Sequence, residues 1–139
     1  MLSNSRIVRI EWHHCDPAGI VYYPHYFTMF DSSTTYMFEK VLGMSKYDFT
    51  KYYNFLGYAM ANSRVTFYIP ARFGDDVEVN TKVIEVKRSS ISLEHQILKD
   101  GALAVEGWDT RVWVERDPAD PEKIKSKPIP PDVVAKLTQ

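Results

Sequence analysis

A carboxylate followed by a tight turn and then by a helix start can perform acyl transfer. Residues Asp16-Pro17-Ala18-Gly19-Ile20-Val21-Tyr22-Tyr23-Pro24-His25-Tyr26-Phe27 present that order. Pro17 and Gly19 punctuate the turn, and Pro24 has the fixed φ and missing N–H that suit a first helical position. A helix opening at Pro24 leaves the backbone N–H of Tyr23, and those of the first turn, without an intrahelical acceptor. Donors of that kind stabilise negative charge developing on an oxygen. Asp16 can fold back over that end as nucleophile or general base. This is the equipment that thioester hydrolysis needs, because a weakly resonance-stabilised ester does not demand a full Ser-His-Asp set. Read locally, the same residues are also an ordinary Asp-Pro-x-Gly turn before an ordinary helix.

Other residue types invite chemistry. Asp31 falls mid-helix, four residues after Phe27 and four before Thr35, on a face that also carries Phe38 and Leu42. A charge there is either solvated at the edge of the apolar stripe or turned into a polar pocket. Lys87 and Arg88 are followed by Ser89 and Ser90; two cations and two hydroxyls can hold phosphate, and they also make a charged surface turn. His25 sits in the first helical turn, at a pocket mouth or facing solvent. Tyr22 and Tyr23 offer aromatic walls to a planar acyl group, or are core or interface aromatics. Arg64 is a pocket cation or an edge charge.

His13, His14, Cys15 and Asp16 have metal-ligand chemistry. Neighbours on an extended strand point to opposite faces, so the four do not converge, and no metal site is expected. Cys15 beside a histidine is not by itself a nucleophile pair, and a structural cysteine is the expectation.

The elements that must position these residues follow from side-chain periodicity. Ile7, Arg9 and Glu11 alternate with Val8, Ile10 and Trp12 as a first strand with one buried face. Tyr26, Phe30, Met37 and Val41 recur near helical spacing, which predicts a helix from Pro24 to about Leu42 with Gly43 as its C-terminal cap. Ser45 to Tyr53 reads as a short second helix with Ser45 as N-cap and Asp48 near its positive end. Strands follow from about Gly57. They include Arg64–Ile69 ended by Pro70, Val77–Val86 after the Gly74-Asp75-Asp76 turn, and a strand from Ile91 to Leu98. Asp100-Gly101 is a hairpin turn into Ala102–Glu115, with Val112 and Val114 sharing a face. Five prolines between Pro118 and Pro131 predict a loop or extended arm, after which Asp132 caps a terminal helix through Leu137. The whole is a segregated α+β domain over residues 1–139, with 117–139 as the Pro-rich arm and short helix.

Composition narrows the function classes. A chain of 139 residues suits one domain with a single core. Its formal net charge of −1 gives no general attraction to nucleic acid or anionic membrane. Residues 1–9 carry no apolar run of signal-peptide length, no stretch approaches a membrane helix, and a single cysteine forbids an intrachain disulfide framework, so a cytoplasmic setting is expected.

The string from Asp16 to Tyr26, with the strand order around it, closely resembles hot-dog-fold thioesterases of the 4-hydroxybenzoyl-CoA thioesterase type. The resemblance runs from about Ile7 to about Val114. It implies a curved antiparallel sheet wrapped around one long central helix, dimers joined sheet edge to sheet edge, and pairing of dimers into tetramers. It implies an acyl-CoA substrate, no cofactor beyond the CoA of that substrate, and attack by Asp16 with the Tyr23 N–H holding the oxyanion. It also implies that Asp31 accepts a hydrogen bond from a ring hydroxyl, where relatives acting on aliphatic thioesters carry glutamate. Lys87, Arg88, Ser89 and Ser90 match the position that contacts the CoA phosphates and pantetheine arm. The chain departs from the pattern at His14, where many relatives have aspartate, and at Ser89, where aryl-specific relatives carry a third cation. A short-chain aliphatic acyl-CoA or acyl-carrier-protein thioesterase and a non-catalytic acyl-CoA-binding module are the competing readings.

Overall fold

Alternation along the longest strand, β5 (Ala102–Asp117), decides what the core contains. Val105, Gly107, Asp109, Arg111 and Trp113 are buried, whereas Glu106, Trp108, Thr110 and Val112 are partly exposed. The buried set faces α1 (Pro24–Leu42), because Gly107 abuts Phe30 and Arg111 reaches Asp31. Val112 and Val114 share the other face, as their spacing predicts, while Arg111 and Trp113 turn inward.

A computed structural model describes residues 1–139. Around β5 the sheet adds β1 (Ser3–Arg9), β2 (Gly57–Phe67), β3 (Asp76–Val86) and β4 (Ser90–Lys99) in the order β1-β3-β4-β5-β2, every pairing antiparallel. The sheet curls around α1, since the helix touches both edges and the middle. The Arg6 guanidinium of β1 donates to Ser33 Oγ at 2.6 Å, Phe30 stacks on His95 of β4 with centroids 4.6 Å apart, and Thr35 shares a 2.8 Å hydrogen bond with Tyr58 of β2. This is the hot-dog arrangement, an α+β fold.

Local chemistry explains the element ends. Gly43 takes the left-handed conformation (φ 68°) and its N–H donates to the Glu39 carbonyl at 2.9 Å, closing α1. Ser45 Oγ accepts from the Asp48 N–H at the start of α2 (Lys46–Tyr52). Asp100 (φ 50°) and Gly101 (φ 79°) both lie in the left-handed region, as a two-residue hairpin turn of primed type requires.

Two apolar clusters fill the space between helix and sheet. Tyr26, Met29 and Phe30 pack on Ile10, Val77, Val79, Ile97 and Val105 near the helix start. Met37, Phe38 and Leu42 pack on Phe49, Tyr58 and Trp113 at the other end, where Val133 and Leu137 of α3 (Pro131–Leu137) close the core. No helix is long and apolar enough to cross a membrane.

Three expectations need correction. The first strand stops at Arg9, and Trp12–His14 form a 3-10 turn in which the Glu11 N–H donates to His14 Nδ1 at 2.8 Å. Trp12 is exposed there, edge-on to Phe73, instead of continuing the alternation. The Pro-rich arm contains a strand, β6 (Asp120–Ser126), which pairs with the end of β5. The Asp117 and Asp120 carboxylates accept from the Ala119 and Glu122 N–H groups in the turn, and because almost all of β6 is exposed no apolar alternation announced it. Finally, Pro130 is the N-cap of α3, and Asp132 lies in the first turn, where its carboxylate accepts from the Tyr53 hydroxyl at 2.7 Å.

Helix–sheet contact is tightest at Gly107. A Cβ there would lie 2.8 Å from Phe30 Cε2, inside van der Waals contact. Gly107→Ala is expected to lower stability by about 1–3 kcal/mol through overpacking, read as a drop in Tm. An unchanged melting curve would show that Phe30 can yield without loss of its stack on His95.

Candidate active site

Asp16 is held by its own turn. Its Oδ1 accepts from the Ala18 N–H at 2.8 Å, its carbonyl accepts from the Gly19 N–H at 2.9 Å, and its N–H donates to the Ile20 carbonyl at 2.9 Å. Gly19 needs its left-handed φ of 77° to close this loop. Oδ2 is left without a protein donor, on a residue that is half-buried. The returning arm is pinned by the Cys15–Val21 bridge and by the Tyr22 N–H, which donates to the His14 carbonyl at 2.9 Å. The same arm docks on the chain just before β3, where the Val21 N–H donates to the Ala71 carbonyl. Asp16 and the helix start thus belong to two arms of one fixed loop.

The amides at that helix start divide. Tyr23 is the N-cap residue and Pro24 holds the first helical position as expected. The His25 N–H donates to the Tyr22 carbonyl at 3.0 Å and the Tyr26 N–H to the Tyr23 carbonyl at 3.1 Å. The expectation that the first turn as a whole offers free amides is therefore corrected, since a 3-10-type start satisfies these two. The Tyr23 N–H has no acceptor in the chain. Its ring is exposed, edge-on to Tyr22 at 5.4 Å and to Phe67 at the end of β2 at 6.4 Å.

The His25 ring is edge-on to Tyr22 at 6.1 Å and to His14 at 5.8 Å. With Arg6, His13, His14, Thr28, Met29 and Ser32 it lines a separate cleft beside β1. The His13 and His14 rings lie 4.2 Å apart, so the 3-10 turn brings these neighbours together where an extended strand would separate them. Burial first, then the positive charge of His13 and His25, holds His14 below the ordinary histidine value. Cys15 is half-buried, with Sγ 3.6 Å from the Glu11 carbonyl, as a structural cysteine would be. Arg64 is exposed on β2 and stacks over Trp108 at 4.4 Å, on the outer face of the sheet away from α1.

Asp31 is half-exposed and is not simply solvated. Its Oδ1 lies 2.9 Å from Nη2 of Arg111, whose side chain is only 6% exposed. Behind Arg111 stands a buried polar chain that periodicity did not single out. Asp109 Oδ2 is 3.6 Å from Arg111 Nη2 and 2.8 Å from His95 Nε2; Ser63 Oγ donates to Asp109 Oδ1, and Thr81 meets His95 Nδ1 at 2.9 Å. Burial pushes the Asp109 carboxyl up, but His95, Arg111 and Ser63 together bring it below the usual carboxylate range. Burial also raises the Tyr58 phenol to about 12. Strand alternation points only to the β5 members, since Asp109 and Arg111 share the face of Trp113.

Lys87, Arg88, Ser89 and Ser90 make the turn between β3 and β4, closed by the Lys87 N–H donating to the Ser90 carbonyl at 2.8 Å. Lys87 and Arg88 are exposed, and Lys87 has only Glu85 nearby, at 3.9 Å. The Asp16 loop docks before β3 begins and this turn follows where β3 ends. The 11 residues of β3 separate them, about 35 Å at strand rise. One chain does not bring the two groups together. Clefts of the single chain lie beside β1, on the outer face near Trp108 and near Asn54, and none of these is walled by Asp16, Tyr23 or Asp31. Tyr23 lies at the Phe67 end of the edge strand β2, and Arg111, the partner of Asp31, pairs with Met60 of that strand.

Residues 10–137 match the family model described as the thioesterase-like superfamily. The chain is similar to the 4-hydroxybenzoyl-CoA thioesterase of Pseudomonas sp. strain CBS-3, 26% identical over 132 residues and 91% of each chain. The solved structure of that protein superposes with a TM-score of 0.86 at 25% identity, covering 98% of this chain and 99% of the other. The acyl-CoA thioester hydrolase YbgC of Escherichia coli is 25% identical across 95% of this chain and 93% of its own. A gentisyl-coenzyme A thioesterase structure matches with a TM-score of 0.80 at 27% identity, over 98% of this chain and all of that one. A family match over nearly the full domain, on a sheet curled around one long helix, makes the chain a member of the thioesterase-like superfamily, a thioesterase with the hot-dog fold.

Proposed function

We propose that this chain hydrolyses an aryl- or hydroxyaryl-CoA thioester, of the 4-hydroxybenzoyl-CoA kind, to the carboxylate and free CoA. The observation that carries the reading is the Tyr23 N–H, an uncommitted donor at the start of α1, with Asp16 braced on the same loop. Asp16 Oδ2, free of protein donors, attacks the thioester carbonyl carbon or takes a proton from the water that does. The carbonyl oxygen becomes an oxyanion that the Tyr23 N–H holds; such a donor contributes about 3–4 kcal/mol to the transition state. The C–S bond then breaks and CoA leaves as the thiol after taking up a proton. In the covalent route water cleaves the resulting anhydride and restores the Asp16 carboxylate. CoA enters as part of the substrate, and no metal or redox cofactor takes part in the scheme.

Two copies complete the site. An unpaired β2 edge is a template for pairing, and two-fold pairing of β2 with β2 sets the Phe67 end of one strand beside the Gly57 end of the other. Tyr23 lies at the Phe67 end. The Lys87–Ser90 turn lies at the Gly57 end, since Ser90 pairs with Val112 and Val112 with Ala59. The turn of one subunit therefore approaches the Asp16 loop of the other, and its two cations take the CoA phosphates. Tyr22 and Tyr23 flank the acyl group, and Asp31 accepts a ring hydroxyl. The outer sheet face around Trp108 and Ile84 is left for pairing dimers into a tetramer. His25, whose ring meets that of Tyr22, stands at the mouth of the acyl pocket.

Relatives that act on 4-hydroxybenzoyl-CoA and gentisyl-coenzyme A support a hydroxyaryl group, and Asp31 supplies the polar contact for one. Thiol release should be fastest for hydroxybenzoyl-CoA in a panel with benzoyl, hydroxyphenylacetyl and short aliphatic CoA thioesters. A preference for butyryl-CoA would overturn the aryl assignment and favour an aliphatic hydrolase. CoA binding with no release across the panel would overturn hydrolysis itself.

A further inference from the structure

We propose that Arg111 is a positioning residue for acyl-group recognition: it grips one oxygen of Asp31 from inside the core and so presents the other outward to a ring hydroxyl. The proposal rests on the hydroxyaryl reading above and adds the residue that enforces it.

Four observations lead there. Arg111 is buried on β5 while its partner is half-exposed on α1, so the ion pair joins the core to the candidate acyl site. Asp31 has a single protein partner, at Oδ1, which leaves Oδ2 to accept a hydrogen bond from a bound hydroxyl. A second carboxylate, Asp109, competes for the guanidinium but is already committed. It accepts from Ser63 through Oδ1 and meets His95 through Oδ2, and it stands off at 3.6 Å while Asp31 approaches to 2.9 Å. Arg111 Nε and Nη2 also lack an aligned hydrogen-bond acceptor. The Asp31 contact is thus an off-axis ion pair, and the guanidinium retains donor capacity directed at no other group. A buried cation with unfilled donors holds the nearest mobile carboxylate.

Arginine suits this place because its planar fork touches Asp31 and Asp109 from one terminal nitrogen while Nη1 lies 3.5 Å from the Tyr58 carbonyl. An ammonium is a point charge and fixes carboxylate orientation less well. Without the grip, Asp31 would swing to solvent as an ordinary helix-surface acid. A hydroxyl on the substrate would then gain little over hydrogen, because water serves Asp31 equally well.

The test compares kcat/KM for 4-hydroxybenzoyl-CoA with that for benzoyl-CoA, which lacks only the hydroxyl. The ratio should fall about 10- to 100-fold in Arg111→Gln, as expected for loss of one hydrogen bond to a charged group, with kcat on benzoyl-CoA within about threefold of wild type. Arg111→Lys should recover part of the ratio. Removing Arg111 alone leaves Asp109 buried without its cation, so the double variant Arg111→Gln/Asp109→Asn is measured as well, with folding followed by thermal melting. It should lose the ratio to the same degree. Asp109→Asn alone, which keeps the contact between Arg111 and Asp31, should retain the ratio. Asp31→Ala separates the two levels of the argument. If it lowers the ratio while the folded double variant keeps it, Arg111 has no positioning role and the inference fails. If Asp31→Ala itself leaves the ratio unchanged, the hydroxyl reading of Asp31 fails and the role of Arg111 falls with it.

Discussion

Asp16→Asn is expected to cut the rate of thiol release by about 10²–10⁴-fold, the range for loss of a group that moves a proton or attacks in the transition state. The fold should survive, for a specific reason. Only Oδ1 is tied into the turn, accepting from the Ala18 N–H, and the asparagine side chain keeps an oxygen able to take that bond. Melting temperature should therefore stay near wild type while kcat collapses and KM changes little. Single turnover of the wild-type enzyme in heavy-oxygen water then tests the covalent route. Label entering the Asp16 carboxylate marks nucleophilic attack, whereas label only in the product arises from a general base or from an anhydride cleaved at its acyl carbon. Steady-state turnover of Asp16→Asn at the wild-type rate would remove this residue from the chemistry and with it the whole scheme.

Mixing two impaired subunits should raise activity above the average of the parents, which no single-chain site can do. One parent carries Asp16→Asn; the other carries Lys87→Ala and Arg88→Ala and should show a KM for acyl-CoA raised about tenfold or more. If the 87–90 turn serves the Asp16 loop of the opposite subunit, a hybrid dimer contains one site with both groups intact and one with neither. Random co-refolding at equal amounts makes half the dimers hybrids, so about a quarter of wild-type activity should return at low substrate. The parents unfolded, refolded and assayed separately set the baseline. Recovery no greater than the average of the parents would put both groups in one chain, against the separation along β3. The Lys87→Ala/Arg88→Ala parent should keep its kcat on a thioester lacking the nucleotide, because the cations act on phosphate and not at the carbonyl.

Much of the scaffold was written in local pattern. The bounds of α1 followed from Pro24 and Gly43, residues whose backbone preferences act without neighbours. The Asp100-Gly101 turn and the Ser45 cap are equally local. The Asp16 turn and the helix start after Tyr23 were legible for the same reason, being consecutive in the chain and punctuated by Pro17, Gly19 and Pro24. Even there the fold refined the reading, since a 3-10 start consumed the His25 and Tyr26 amides and left that of Tyr23.

What the chain order could not hold was any relation between distant residues. Asp31 was ambiguous between solvent and pocket because its partner, Arg111, lies on another element and meets it only when β5 crosses α1. The run Thr81, His95, Asp109, Arg111 crosses three adjacent strands, so sheet register assembles it and no spacing within one segment encodes it. Strand β6 was missed because a strand exposed on both faces needs no apolar alternation, only a partner. The distance between the Asp16 loop and the Lys87–Ser90 turn is of the same kind, set by the length and direction of β3. The sequence by itself therefore determined the local devices, caps, turns and the acid beside a helix start, since these depend on backbone sterics over a few residues. Tertiary structure alone decided which charges share the core and which ends of the sheet are far apart, because burial and pairing join residues that the chain keeps separate.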